Sequence, residues 1–104
     1  MKLLTTYTCG EGIETDLIPV VIMAHGETTD DLIPALSDDI AEILAMDEIK
    51  SATITDNYGH EIEPTVASVC EAIANGTTTI MVHQTFRDTG DRYTDVYTIN
   101  DFNP

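Results

Sequence analysis

The chain has 104 residues, 42% of them apolar, and carries nineteen Asp and Glu against four Lys and Arg, a formal charge of −15. That length suits one domain with a modest core, and the apolar share excludes a chain disordered throughout. The charge excludes direct binding to nucleic acid or to an anionic membrane surface, and no apolar run approaches the ~18 residues of a membrane span.

The first residues contain no apolar segment of the secretory type, so a soluble, cytoplasmic protein is expected. Lys2 to Thr8, rich in Thr and Tyr, reads as a strand, and Cys9-Gly10-Glu11-Gly12 as a turn. Leu17 to Ala24 reads as a second, well-buried strand, with Pro19 near its start or on an edge because proline donates no ladder hydrogen bond. His25-Gly26 ends it.

A helix follows. Leu32, Ile33, Leu36, Ile40, Ile43 and Leu44 fall on one arc at 100° per residue, with Asp31, Asp38, Asp39, Glu42 and Glu48 on the other half. Two starts fit: a cap at Asp30 or Asp31 with Pro34 in the first turn, or a shorter helix capped by Ser37. Ser51–Thr55 reads as a strand, Asp56–Gly59 as a turn, and the residues after it as a short return strand. Pro64 to Asn75 suits a second helix stopped by Gly76. Thr77–Phe86 and Tyr93–Asn100 flank a loop with Gly90 available for a positive φ, which predicts a hairpin. Strands arriving in pairs predict an α+β domain: one mainly antiparallel sheet of four to six strands packed against two helices.

The motifs that suggest chemistry are incomplete. Val20 to Asp31, "VVIMAHGETTDD", ends a strand on His25, but no Gly-rich loop or lysine follows, and its acids would expel a phosphate. His60-Glu61-Ile62-Glu63-Pro64 has Pro64 where a zincin needs its second histidine, and no later Cys-x-x-Cys completes a deaminase pattern. Asp88-Thr89-Gly90-Asp91 is too short for a calcium loop. Cys9 and Cys70 fit no motif and read as free thiols, with a bridge left open. No metal, no cofactor and no enzymatic activity are therefore expected. Arg87 and Arg92 are expected to pair with Asp88, Asp91 or Asp95.

The acids are distributed unevenly. Residues 27–48 hold eight acids and no base. Carboxylates at positions 38 and 42 repel at a cost of roughly 0.2–0.5 kcal/mol, which a lysine at either position would relieve. The five acids from Asp38 to Glu48 span eleven residues, about 16 Å of helix, or one charge per ~3.3 Å against ~3.4 Å along one DNA strand; Asp47 projects towards the apolar side, which leaves four on the face.

The function expected from this pattern is an interaction protein. Its carboxylates would occupy a basic, nucleic-acid-binding site on a partner protein in place of phosphates. In size and charge it is similar to the small acidic inhibitors, often phage-encoded, that block host defence or transcription proteins; the likeness covers no motif. The expected contact set is Asp30, Asp31, Asp38, Asp39, Glu42 and Glu48, extended by Asp56, Glu61 and Glu63. The alternatives are a salt-adapted domain, a viral assembly subunit, or an enzyme built on His25, His60 or His83. Sequence leaves the oligomeric state open.

Overall fold

Six strands and two helices form in the computed structural model, which describes residues 1–10 and 19–102. In chain order they are β1 (Lys2–Gly10), β2 (Val21–Gly26), α1 (Ile33–Leu44), β3 (Ile49–Asp56), β4 (Glu61–Ile62), α2 (Val66–Ala74), β5 (Thr79–Phe86) and β6 (Arg92–Asp101). The strands make one sheet in the order β2-β1-β6-β5-β3-β4, and every neighbouring pair is antiparallel. The α+β architecture read from the sequence is the one observed. No helix among the described residues is long and apolar enough to cross a membrane.

Period-2 alternation divides the sheet into two unlike faces. Leu4, Ile54, Ile80, Val82 and Tyr97 point to one side and are all at most 2% exposed. There they meet Leu36, Ile40 and Ile43 of α1 and Val69 and Ile73 of α2 in one core cluster. Burying a side chain of this size is worth roughly 1.5–3 kcal/mol, so the helices are held by packing more than by propensity. The two helices touch one another, and Ser37 Oγ lies 3.3 Å from Cys70 Sγ.

Among the described residues, no helix packs on the other face of the sheet. Its rows run across the strands. Tyr7, Val96, Met81 and Thr55 are successive partners in one row; Cys9, Thr94, His83 and Thr53 form the next. His83 sits between two hydroxyls, Thr55 Oγ1 at 2.9 Å and Thr94 Oγ1 at 3.0 Å. Cys9 and Cys70 are both free thiols. Cys9 lies on this face and Cys70 on α2, so the helix-bearing sheet stands between them.

Three sequence expectations need correction. The apolar run at the second strand is not well buried. Leu17 and Ile18 lie outside the described residues, and Val20, Val21 and Ile22 are 65%, 51% and 60% exposed. The reason is topological: β1 pairs with β2 on one side and with the distant β6 on the other, which leaves β2 at the edge. Cys9 and Gly10, read as part of a turn, continue β1 opposite Thr94 and Tyr93. The hairpin holds as expected, with Gly90 at φ +74° in its loop. The second helix starts later than read: Thr65 caps it, its Oγ1 accepting the Ser68 N–H at 3.1 Å, and Pro64 precedes the cap.

Candidate functional site

The first helix takes the longer of its two readings. Pro34 sits in its first turn, where a missing N–H costs nothing. A short 3-10 helix, Thr29–Leu32, leads into it. Asp31 organises this entry: its carboxylate accepts the backbone N–H groups of Glu27 at 2.9 Å and Thr28 at 3.0 Å. Those two donors, Thr28 first, hold its pKa below the ordinary carboxylate value. Gly26 makes room for it, since a Cβ there would come within 2.3 Å of the Asp31 Cβ.

Asp38 and Glu42 are exposed on the outward side of α1, about 6 Å apart along the axis, and Asp30 is exposed at its entry. The helix ends at Leu44, so Asp47 and Glu48 lie in the connection to β3 and off the helical line. The continuous spacing of five carboxylates expected from the sequence is therefore not formed. Asp38, Asp39 and Glu42 are the helical part of it.

Asp39 turns inward. Its Oδ2 accepts the Tyr97 hydroxyl at 2.5 Å, although Tyr97 itself is 2% exposed. Burial, then this hydrogen bond, then the charges of Asp39, Asp95 and Glu42, push the Tyr97 pKa far above its ordinary value. Three carboxylates thus act on one phenol. Asp95 belongs to the helix-side face of β6, where it accepts Gln84 Nε2 at 2.7 Å and Thr8 Oγ1 at 2.5 Å.

Beside these groups opens a cleft of about 560 Å³, between the C-terminal turn of α1 and the sheet. Ile43 of α1 and Met46, just past the helix end, form one wall; Phe86 and Tyr93, edge to face at 5.4 Å, form an aromatic wall. Gln84, Thr8, Asp91 and Asp95 supply its polar groups. Asp39 stands one turn back on α1 from Ile43, and Glu42 four residues before Met46, which follows the helix end. The arrangement combines apolar walls for an aliphatic stem with carboxylates for a cationic head.

The remaining expected contact residues lie elsewhere. Asp56 closes its turn, accepting the N–H groups of Tyr58 at 2.8 Å and His60 at 3.0 Å. Burial alone would raise its pKa, but those donors and the nearby His60 more than offset this and lower it. Glu61 and Glu63 are exposed at β4, the sheet edge opposite β2. Asp31, Asp39 and Asp56 are thus engaged in the chain's own structure, while Asp30, Asp38, Glu42 and Glu48 are exposed. Asp91, Asp95 and Tyr97 are the additions that the sequence reading missed. The signal was present: Tyr93, Asp95, Tyr97 and Ile99 alternate on one face of a strand.

The arginine pairing expected from the sequence does not form. Among the described residues the ion pairs are Lys2–Asp101 at 2.6 Å and His60–Asp56 at 3.3 Å. Lys50, Arg87 and Arg92 have no described carboxylate within 4 Å. Asp95 is drawn inward by Gln84 and Thr8 instead. The histidines are separated: His25 is exposed on the edge strand, His60 follows the Asp56 turn, and His83 is held on the outer sheet face. Comparison with protein-family models, curated proteins and solved structures finds no match to this chain.

Proposed function

We propose that this is a small acidic interaction protein whose helix-layer carboxylates occupy a basic, nucleic-acid-binding site on a partner protein in the cytoplasm. What supports the reading is a single observation: Asp30, Asp38, Glu42 and Glu48 are exposed, and no described Lys or Arg lies within ion-pair distance of any of them. Unpaired like charges on one surface raise the energy of the free protein and are relieved by a cationic partner. A lysine or arginine of that partner would enter the cleft beside α1. Its stem would lie on Ile43, Met46, Phe86 and Tyr93, and its head would face Asp91 and Asp95. A partner whose site is filled this way cannot hold nucleic acid, so the protein acts as an inhibitor, of the kind a virus directs against a host defence or transcription system.

The test is capture of the partner at low and high salt, followed by competition with duplex DNA. The variant Asp38→Asn/Glu42→Gln/Glu48→Gln removes three charges without touching the Asp31, Asp39 or Asp56 contacts. Its association rate should fall on the order of tenfold at low salt. Asp91→Asn tests the cleft separately. Capture that survives high salt unchanged, or a partner that keeps its nucleic acid while bound, would refute the reading.

A further inference from the structure

The outer face of the sheet carries a different kind of surface. We propose that it binds a second copy of this chain, face to face, in a two-fold dimer. Charge is sparse on this face: by register Arg92, opposite Thr85, projects from it at the hairpin end. Of the described acids, Glu61 alone projects from this face, opposite Thr55 at the β4 edge. The other described acids lie on the helices, in the connections, or on the helix-side positions of the strands. Two copies each carrying −15 would bring carboxylates together on any approach through the helix layer. The outer face is where they can meet without doing so.

The pattern within the face points the same way. An apolar row crosses its centre, with Tyr7 and Met81 partly exposed on either side of Val96, which is itself buried at 3%, and rows of threonine hydroxyls flank it. An apolar middle flanked by threonine hydroxyls, with charge only at the rim in Arg92 and Glu61, is the anatomy of a protein interface, and alternation alone would have permitted lysine or glutamate at every central position. The size also suffices. Five strands at about 4.8 Å and eight residues at about 3.3 Å give a face of roughly 24 by 26 Å. Two such faces bury on the order of 1,250 Å², the lower end of the range of stable interfaces. Two sheets stacked about 10 Å apart at a small angle would close a sandwich with α1 and α2 on its outside. Both helix layers, and both clefts, then stay open, so self-association and capture of a basic partner are independent.

Salt separates the two. Screening relieves the repulsion between two −15 chains, so the dimer should tighten as salt rises, whereas capture of a cationic partner should weaken. The experiment is sedimentation equilibrium of the whole chain over a range of concentrations at low and high salt. The expected result is a species of twice the 11.4 kDa chain mass, favoured by salt. A charge placed on the face appears twice in a two-fold dimer, so Met81→Glu and, separately, the exposed Thr53→Glu should each weaken self-association roughly tenfold or more. Far-UV circular dichroism checks that each variant is folded, and if Met81→Glu is not, Thr53→Glu decides. Monomer at every concentration and salt overturns the proposal. So does a dimer that a folded variant leaves unchanged, because its interface must then lie elsewhere.

Discussion

Replacing Tyr97 by Phe isolates the junction between α1 and the sheet. The ring is 2% exposed and fills the core in either residue, so the substitution removes the hydroxyl and its bond to Asp39 with no cavity to speak of. A hydrogen bond to a charged group is worth about 1.5–3 kcal/mol, and the half-buried Asp39 regains some water when it is lost. The expected destabilisation near neutral pH is therefore about 1.5 kcal/mol, or roughly 6–12 °C in Tm for a domain of this size. The sign reverses in alkali. The Tyr97 pKa is raised in the folded state, so the proton's contribution is complete below the unfolded value of ~10 and is lost as pH climbs towards the folded one. Above pH ~10 the wild type should lose about 1.4 kcal/mol per pH unit relative to Tyr97→Phe, and the two should be equally stable near pH ~11. Urea unfolding followed by far-UV circular dichroism from pH 7 to 11 measures this difference, from which the other tyrosines, the cysteines and the lysines cancel. Parallel curves above pH 10 would refute the account, because they would mean that Tyr97 ionises as easily in the fold as out of it.

Removing the cap of the second helix, Thr65→Ala, should cost about 1 kcal/mol and lower Tm by roughly 4–8 °C, while Thr65→Ser should recover most of it in the same melt. Acid should act through Asp31, Asp56 and Asp101, whose folded pKa values are all lowered. Their contribution is present above the unfolded value near 4 and is lost as pH falls below it. Asp31→Asn should therefore flatten the fall in Tm below pH 4; an unchanged slope would mean that the Glu27 and Thr28 donors do not favour the charged form.

The elements were legible because each is written in a local period. The strands alternate, α1 repeats at 3.6 residues with Leu36, Ile40 and Ile43 on its buried line, and Gly90 marks the hairpin. Pairing across the sheet was not legible, and the misreadings follow from that. An apolar run such as Val20–Ala24 reads the same at a sheet's centre and at its edge, and only the β1–β6 pairing decides between them. The exposed acids on α1 could be placed from its wheel. The helix end at Leu44 carries no glycine or other stop signal, so the helical period alone extends to Asp47 and Glu48, which the helix does not reach. Closeness in sequence points Asp95 to a neighbouring arginine. Its actual partners, Gln84 and Thr8, are respectively eleven and eighty-seven residues away.

The pairing of β1 with β6 also governs how the chain can be made. Every residue from Lys2 to Gly10 has its partner in Asp101 to Tyr93. A ribosome therefore releases the first strand long before the one that will lie beside it, and until then its inner edge is open to any passing chain. Closing that loop brings together residues as much as ninety-nine positions apart, which makes it a slow step. A nascent chain of this kind gains from its own charge, since a strongly anionic polypeptide is repelled by its siblings on the same message while it waits for its last strand.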